Sequence, residues 1–537
     1  MIAQRAHRWL GATLLILMSL ALIFSPHLQR LLPPLTAHAA LVEREELTLT
    51  LAPTTLTPRA PRPSPTATPR PTVTPRVESP TATPEGTTQP HTGDWYRYFT
   101  QAGDTLPALA YRFGVPVESI RPVTPETVWP LPGLLPPDLP ILIPRLVRGD
   151  TPADQLLPDS EVIASPSSLD FDPEAYAREA GGYLARYVTF LPTPGELTGP
   201  QTVAFIARHY SINPRLLLAL LEYQSGWVRG EPRSATLAEY PMGRVDPRRP
   251  RLAPQLAWAA EQLSVGYYGW REGWIRELTF ADGTRWRLDP TLNAGTVALM
   301  YFFAQVLSPD AWRAALDPAN PASFPVLYQD MFGDPWLRAR WAEPLYPPDL
   351  SQPPMILPFE RNVPWALTSG PHGAYGREGA RAALDFAPPH KRGEPCQVSR
   401  EWILAVADGV VARVEPGELV LDLDGDGREQ TGWNVLYLHI SQHELQVREG
   451  DRVRQGDRLG HASCEGGRAT GSHIHLARKY NGEWIAAGGP IPFNLGGWIA
   501  ENGPEPYQGR LVRGDEVVEA SPIAAPGSHI QRGDDDP

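Results

Sequence analysis

Residues 467–480 read GRATGSHIHLARKY, and the pair His473-Ile474-His475 inside this stretch decides how the C-terminal part of the chain is interpreted. Two histidines at positions i and i+2 in a β-branched, apolar setting project from the same face of a strand. One imidazole can then bind a metal while the other reaches a substrate bound to that metal. Two histidines on one strand face are more often simply solvent-accessible, so the role of the pair depends on the residues that accompany it.

The region from about 355 to 511 has the sequence pattern of a β domain. Short apolar runs at residues 403–414 and 434–440 are separated by turns of Gly, Asp and Pro. This pattern is typical of strands joined by short turns. We therefore predict a mainly antiparallel β domain in this part of the chain.

Three separate segments of this region carry residues that suit a metal. His372 follows Gly-Pro, Asp385 ends Ala-Ala-Leu-Asp, and His475 closes the His-Ile-His pair. A hydrolytic zinc site needs three protein ligands and an open position for water, and imidazole and carboxylate are both suitable ligands. We predict that these three residues bind Zn²⁺. His473 and His439, the latter from Tyr-Leu-His, would then orient the water, take its proton and stabilise the oxyanion.

This constellation resembles the lysostaphin/LytM-type zinc metallopeptidases, in particular their β-lytic and LasA-like branch. In that branch the first zinc histidine lies well upstream of the aspartate. Here Arg381 fills the position of a compact ligand, and His372 lies in Gly-Pro-His-Gly instead. The family's two strand-turn signatures are matched by residues 405–411 and 448–460. The resemblance implies that His473 is the general base, that His439 stabilises the transition state, and that the substrate is a peptide bond of peptidoglycan.

Size and charge narrow the class of protein. The 537 residues are too many for a single core, and about three domains are expected. The net charge is −12, and basic residues form no cluster beyond the N-terminus. Because phosphate binding needs a concentrated positive face, we expect no nucleic-acid partner.

The first 40 residues carry the features of an export signal. Arg5 and Arg8 precede an apolar run at residues 9–24, which is short for a membrane span and normal for a signal peptide. The triplet Ala37-His38-Ala39 has the small-x-small form of a cleavage site. We predict that residues 1–40 are either a signal peptide or a retained signal anchor. The rest of the chain would then be extracytoplasmic, either secreted or anchored in the cell membrane and facing outward.

Two segments are expected to lack a folded core. Residues 41–93 contain a long Pro- and Thr-rich stretch, which favours an extended linker over a ligand for proline-reading domains. Residues 512–537 are predicted to form a disordered tail.

The chain has two cysteines, Cys396 and Cys464, both in the region that holds the histidines. In an oxidising compartment they would form one disulfide. The alternative is a pair of unbonded, buried thiols.

Residues 94–146 carry the signals of a small βααβ module. Thr105 can cap a helix that ends at Gly114. A second short helix should start near Val117, and residues 139–144 should form a closing strand. The segment resembles a LysM domain, a family that binds glycans containing N-acetylglucosamine. Its second half departs from the family pattern, so glycan binding and a merely structural role both stay open.

Residues 165–345 show helical periodicity, with Asn213 followed by proline at the start of one helix. Residues 213–226 resemble the signature of lysozyme-like transglycosylases, in which a glutamate before Ser-Gly protonates the glycosidic oxygen. Gln224 occupies that position here and cannot donate a proton in that way. Glu222, two residues earlier, points to a different side of the helix. We predict an all-α, lysozyme-like domain without glycosidase activity.

Other polar residues near the metal constellation have simpler interpretations. The motifs do not include His390, His443 or His461, and we predict that these are solvated loop residues. Residues 422–429, DLDGDGRE, begin like a calcium loop. Trp433 stands where the bidentate glutamate of an EF-hand belongs. A hairpin turn of acidic residues is therefore favoured over a calcium site.

The sequence thus favours a multidomain, exported zinc endopeptidase that hydrolyses peptide crosslinks of peptidoglycan. The LysM-like module would add glycan contacts, and the N-terminal segment would add a membrane tether if it is retained. One alternative is a non-catalytic wall-binding scaffold or regulator of another hydrolase, although degenerate relatives of that kind usually lose ligands. The other is a glycan-cleaving enzyme that uses the helical domain, which Gln224 argues against.

Overall fold

The computed structural model describes residues 91–92, 95–124, 128–347, 349–389 and 395–536. The predicted signal segment 1–40 and the linker up to residue 90 lie outside these ranges. Within the described ranges, none of the helices combines the length and the apolar character that crossing a membrane requires.

The first described segment folds into a four-stranded antiparallel sheet with one α-helix. Its strands are β1 (His91–Thr92), β2 (Trp95–Phe99), β3 (Arg121–Pro122) and β4 (Pro140–Pro144), in the order β1-β2-β4-β3. Helix α1 spans Leu106–Phe113. Thr105 caps its start, with a side chain that accepts a hydrogen bond from the Ala108 N–H, and Gly114, with φ 64°, caps its end. The second predicted helix is reduced to a 3₁₀ helix, Val117–Ser119. The βααβ outline is present in this shortened form, and the LysM resemblance stays a prediction.

The middle region is helical, as the periodicity predicts. Its helices are α2 (Pro173–Ala180), α3 (Tyr183–Arg186), α4 (Gly199–Tyr210), α5 (Pro214–Ser225), α6 (Ala235–Glu239), α7 (Leu252–Arg271), α8 (Ala294–Ala304), α9 (Pro309–Leu316), α10 (Phe324–Phe332) and α11 (Pro335–Ala342). The region also contains two hairpins, β5 (Val188–Phe190) with β6 (Glu196–Thr198) and β7 (Glu277–Thr279) with β8 (Arg285–Arg287). The expectation of an all-α domain is therefore wrong in detail, since short strands flank turns such as the one at Asp282-Gly283.

Capping residues start the helices of this region, and a glycine allows two of them to pack closely. Thr198 and Gln201 form a capping box at the start of α4. Asn213 caps α5, with proline in the first turn. Helices α7 and α8 approach closely at Gly266, where a Cβ atom would lie 2.8 Å from the Ala298 Cα. A larger residue at this crossing would force the two helices apart.

The C-terminal region is built on a nine-stranded antiparallel sheet. Its strands are β9 (Trp365–His372), β10 (Ala383–Ala387), β12 (Gly409–Glu415), β13 (Glu418–Asp422), β14 (Trp433–Leu438), β15 (Arg452–Val453), β17 (Ile474–Tyr480), β18 (Glu483–Trp484) and β23 (His529–Ile530). Their order is β15-β12-β13-β14-β17-β10-β9-β23, and β18 pairs with β17. Two smaller sheets contain β11 (Trp402–Leu404) with β16 (Arg458–His461), and β19 (Asn494–Leu495), β20 (Trp498–Asn502), β21 (Gly509–Arg513) and β22 (Glu516–Glu519). The predicted antiparallel β domain is confirmed.

The two faces of the large sheet pack against different cores. Leu384 and Leu476, which pair across β10 and β17, belong to the core of the β domain. Ala383 and Ala477 also pair across these strands, and they face the core that contains the helical region. Because side chains alternate along a strand, the residues two positions from Ala383 and Ala477 lie on this second face as well. The helical region therefore packs on one face of the sheet.

Two expectations about this region are wrong. The strand expected at residues 403–414 is divided into β11 and β12, because the intervening residues leave the ladder and bond elsewhere; the Ala405 N–H, for example, donates to the Asp457 carbonyl. The disordered tail expected at residues 512–537 instead contributes β22 and β23. Ile530 is only 3% exposed and pairs with Trp365 of β9. Burial of such apolar side chains offsets the entropy cost of ordering this segment.

A buried ion cluster joins helix α4 to the hairpin β12–β13. His209 Nε2 lies 2.8 Å from a Glu415 oxygen and 3.3 Å from a Glu418 oxygen, and Arg413 pairs with both glutamates. Burial alone would lower the pKa of His209, but Glu418 and Glu415 outweigh burial and raise this pKa to about 9. The charged imidazole therefore ties the helical region to the sheet.

We predict that His209→Gln destabilises the chain in a pH-dependent way. Because the pKa of His209 rises from 6.5 unfolded to about 9 folded, its contribution is fully present below pH 6.5 and is lost as the pH rises through about 9. The difference in thermal unfolding midpoint between wild type and His209→Gln should therefore be largest in acid and shrink towards alkaline pH. Circular dichroism melts across this pH range measure it.

The matched control for this experiment is His443→Gln. His443 is exposed on a 3₁₀ helix, Gln442–Glu444. This substitution should leave the melting curves close to those of wild type at every pH. A loss of stability in His209→Gln that stays constant from acid to alkaline pH would contradict the charged interdomain pair.

Candidate metal centre

Strand register brings three of the predicted site residues to one end of the sheet. His372 is the last residue of β9, Asp385 lies in β10, and His475 is the second residue of β17. In this register Asp385 is directly opposite His475, and Ala383 is opposite His372. All three residues are buried, with at most 7% of their surface exposed. The sequence prediction that these residues meet therefore agrees with their positions in the fold.

The donor atoms of these residues form a small, nearly equilateral triangle. His372 Nε2 lies 3.1 Å from His475 Nδ1 and 3.3 Å from Asp385 Oδ1, and His475 Nδ1 lies 3.1 Å from the same Oδ1. Zinc–ligand bonds of about 2.0–2.1 Å in a tetrahedron put neighbouring donors roughly 3.3–3.4 Å apart. The triangle therefore fits three corners of a tetrahedral zinc site and leaves the fourth corner for water or substrate.

Backbone carbonyls fix which ring nitrogens face the triangle. His372 Nδ1 lies 2.9 Å from the Gly370 carbonyl, and His475 Nε2 lies 2.9 Å from the Ala374 carbonyl. A carbonyl only accepts, so these nitrogens carry the protons that the rings donate, and the opposite nitrogens offer lone pairs. Two lone pairs and a carboxylate at hydrogen-bond distance repel one another unless a cation lies between them. The chemistry of these three donors therefore suits a metal ion.

The ionisation of Asp385 and His475 also suits a metal, whereas Asp385 outweighs burial and raises the pKa of His372, whose extra proton a metal ion would replace. Burial alone would raise the pKa of Asp385, but His372 and His475 outweigh burial and hold it well below the ordinary value. Asp385 is therefore an anion. Burial lowers the pKa of His475, although Asp385 opposes the shift, and this favours the neutral imidazole that metals bind.

Two further histidines lie beside the triangle. His473 Nε2 is 3.7 Å from Asp385 Oδ1, and the ring centroids of His473 and His439 are 4.5 Å apart. His473 Nδ1 is 2.8 Å from the Gly471 carbonyl, and His439 Nδ1 is 2.7 Å from the Glu465 carbonyl. Each ring therefore donates through Nδ1 and keeps a lone pair on Nε2. The structure brings all five predicted site residues into one cluster.

His439 is held in an unusual backbone conformation. Its φ of 70° is left-handed, which a non-glycine residue adopts at a cost of about 1 kcal/mol or more. The His439 N–H donates to the Gly417 carbonyl, and its own carbonyl accepts from Ser463 N–H, both at 2.7 Å. Burial, followed by the neighbouring His473 and His475, lowers the pKa of His439 to about 3. The imidazole of His439 is therefore neutral, and the backbone conformation of this residue fixes the direction of the ring.

A disulfide joins Cys396 to Cys464, which resolves the two alternatives left open by the sequence. Glu465, which supplies the carbonyl that holds His439, follows Cys464 directly. On the other side, the Pro395 carbonyl accepts from the N–H of Ser472, the residue before His473. The bond therefore connects the two backbone segments that position the pair of non-ligand histidines.

One residue at the site, Tyr507, carries no signal in the sequence. The Tyr507 ring stacks on His372, with centroids 4.6 Å apart and an interplanar angle of 23°. Tyr507 follows the His-Ile-His pair by more than thirty residues and matches no motif; its N–H bonds to the Pro371 carbonyl. Only the folded path of the chain brings it to the site.

The predictions for the three histidines that match no motif, His390, His443 and His461, have different outcomes. His390 lies outside the described residues, and His443 is exposed, as expected. The expectation that His461 is solvated is wrong. It is 7% exposed, its ring lies 3.9 Å from that of Trp402, and its Nδ1 bonds to the Glu401 carbonyl. Pairing of β16 with β11 carries it into the interior.

In the helical region the residues near the expected glycosidase position have other partners. Glu222 accepts hydrogen bonds from the backbone N–H groups of Val228 and Arg229, each at 3.0 Å. Gln224 Nε2 is buried and has no hydrogen-bond partner among the residues that the structure describes. Glu222 therefore serves the turn after α5, and Gln224 offers no proton for glycoside cleavage.

Comparisons with known proteins match this chain in two segments. A model described as "LasA, N-terminal domain" matches residues 155–346, and "Peptidase family M23" matches residues 390–487. Protease LasA of Pseudomonas aeruginosa strain UCBPP-PA14 is 29% identical over 345 residues, covering 60% of this chain and 76% of the relative. Protease LasA of strain PAO1 is 27% identical over 348 residues, covering 61% and 78%.

Among solved structures, the M23 metalloprotease pseudoalterin from the deep sea is 22% identical, with a TM-score of 0.26, covering 32% of this chain and 96% of that one. The catalytic domain of lysostaphin from Staphylococcus simulans is 21% identical, with a TM-score of 0.16, covering 24% and 90%.

These matches define the class of protein as a zinc-type metalloendopeptidase with a family M23 peptidase domain. The similarity extends to the helical region, because residues 155–346 match the model of the LasA N-terminal domain and two LasA proteases are similar to about 60% of this chain. The M23 match includes His439, His473 and His475 but begins after His372 and Asp385. The roles of those two residues therefore depend on the triangle of donor atoms described above.

We predict that His475→Ala abolishes zinc binding. With one of three donors lost, the remaining pair cannot complete the site, so metal content should fall from about one ion per chain to nearly none. Metal analysis of the purified chain after dialysis measures this. His529→Ala, at an exposed histidine of β23, is the matched control and should keep its zinc. Full zinc content in a folded His475→Ala protein would contradict the ligand assignment.

Proposed function

We propose that the chain hydrolyses peptide bonds in the crosslinks of peptidoglycan, with Zn²⁺ held by His372, Asp385 and His475. The observation that carries the proposal is the triangle of three donor atoms at 3.1–3.3 Å beside two further imidazoles. A hydrolytic site needs metal donors and separate groups that handle protons, and this arrangement supplies both. It argues against a non-catalytic scaffold, because such relatives usually lose ligands.

In this proposal the metal, when bound, polarises the scissile carbonyl and makes water acidic enough to attack at neutral pH. His473 accepts the proton of the attacking water at Nε2, since its Nδ1 is already committed to the Gly471 carbonyl. His439 stabilises the transition state from the other side by accepting, at the lone pair of Nε2, a hydrogen bond from the attacking water. Tyr507, stacked on His372, keeps that ring in the orientation that points Nε2 at the centre.

The location and the accessory domains are inferred from the same residues. A disulfide persists in oxidising compartments, so the bond between Cys396 and Cys464 supports an extracytoplasmic location. The sheet-and-helix module around α1 supports the proposed LysM-like contact with glycan. The hydrogen bonds of Glu222 support a helical domain that does not cleave glycans, in keeping with the lysozyme-like resemblance. From the sequence alone, we also propose that residues 1–40 are either a signal peptide or a retained anchor that tethers the chain to a membrane.

We predict that His473→Ala keeps its zinc and loses hydrolysis. Removal of a general base typically costs about 10²–10⁴-fold in rate, whereas the three metal donors stay in place. The measurement is the release of new amino groups from purified peptidoglycan, with mass spectrometry of the fragments to identify the bond that is cut. His529→Ala again serves as the control and should retain wild-type rates.

Two outcomes would contradict this proposal. Wild-type hydrolysis by His473→Ala would remove that residue from the mechanism. Release of new reducing ends without new amino groups by the wild-type chain would instead favour glycan cleavage, the function that Gln224 argues against.

A further inference from the structure

The loop between β13 and β14 carries three carboxylates that the proposed mechanism does not use. Asp422 ends β13, and Asp424 and Asp426 follow at alternate positions. One oxygen from each lies within 4.8 Å of the others. These residues begin the calcium-like segment of the sequence, and their clustering in space raises the question of what neutralises them.

The described part of the chain shows no ion pair to this cluster. Among the described residues, no Arg or Lys forms an ion pair with Asp422, Asp424 or Asp426, whereas the neighbouring Glu429 is paired with both Arg413 and Lys479. Partial burial and the adjoining Asp422 carboxylate raise the pKa of Asp424 to about 7. Among the described residues, these three acidic groups therefore lie together without a basic partner, whereas the adjacent Glu429 has two.

A buried amide group beside the same loop has an oxygen without a partner among the described residues. Asn434 has no exposed surface and pairs directly with Asp422 across β13 and β14. Its Nδ2 donates to the Thr431 carbonyl at 2.8 Å and to the Arg428 carbonyl at 3.4 Å, so the amide group lies inside the loop. Its Oδ1 has no hydrogen-bond partner within the described ranges. A buried oxygen without a partner is costly, and a bound cation would satisfy it.

The loop is shaped so that its acidic side chains can converge. Asp422 Oδ2 accepts from the Gly427 N–H at 2.7 Å, and the Thr431 hydroxyl donates to Asp426 at 2.8 Å. Gly432 has φ 55°, and a Cβ atom there would collide with the Asp424 carboxylate. The carboxylates are therefore oriented by the loop before any ion arrives.

We propose that this loop is a Ca²⁺ site whose protein ligands are Asp422, Asp424, Asp426 and the Oδ1 of Asn434. All four donors are oxygens, which hard cations prefer, and Ca²⁺ accepts six to eight such ligands in flexible geometry. Asn434 enters from the partner strand, so the site differs from an EF-hand, whose final glutamate is replaced here by Trp433. Water and backbone carbonyls would supply the remaining ligands.

The site has a structural role in this proposal. Strand β14 runs from Asn434 towards His439, five residues further on, which is roughly 17 Å in an extended strand. The ion would tie β13 to β14 at the end remote from the zinc centre. Calcium would therefore raise the stability of the strand that leads to His439 and leave zinc binding unchanged.

The test is a calcium titration of the zinc-loaded full chain by isothermal calorimetry, with CaCl₂ as the only added ligand. We expect one Ca²⁺ per chain with a dissociation constant at or below about 1 mM, and at least tenfold weaker binding of Mg²⁺. Asp426→Asn and Asn434→Ser should each weaken calcium binding at least tenfold. Asp515→Asn, at an exposed acid in the turn between β21 and β22, is the control and should bind as wild type does.

A second measurement follows thermal unfolding instead of the heat of calcium binding. Calcium should raise the thermal unfolding midpoint of the wild type and of Asp515→Asn, and should not raise that of Asp426→Asn. The absence of calcium binding by the wild type, or equal binding by Asp426→Asn and the wild type, would overturn the proposal. Zinc content is measured in parallel, so a failure here is distinguishable from a failure of the proposed peptidase.

Discussion

The pairing of Asp385 with His475 across two antiparallel strands is the constraint on which the metal centre depends. Side chains alternate along a strand, so a shift of one residue in this register would move both donors to the opposite face. The register is held by Leu384 and Leu476, which pair next to them and are fully buried in the β-domain core. The apolar core on one face thus fixes the geometry of the polar site on the other, and the helical region packs on that second face as well.

Local signals in the sequence predict much of this fold. The caps at Thr105 and Asn213 are where the residue types place them, because a cap depends only on neighbours within one helical turn. The clustering of the five site residues also follows the prediction, since His473 and His475 share one strand end and the others lie beside turns. Their individual roles remain a prediction.

What the sequence could not predict depends on contacts between distant segments. The burial of His461 comes from pairing between β16 and β11, and Ile530 becomes ordered only because β9 offers a free edge. Tyr507 reaches His372 through the fold of the last sheet. Neither local spacing nor composition encodes such pairings, and the ion cluster around His209 is of the same kind.

The bond between Cys396 and Cys464 has a consequence for where the molecule can work. Its two ends adjoin the carbonyls that hold His439 and the residue before His473, while the strands bearing the three donors are secured by the core. Chemical reduction would release the backbone segments that hold His439 and His473, the residues proposed to handle protons, whereas the pairing of β9, β10 and β17 that places the three donors does not include this bond. In the proposed function, hydrolysis would therefore be more sensitive to reduction than metal binding.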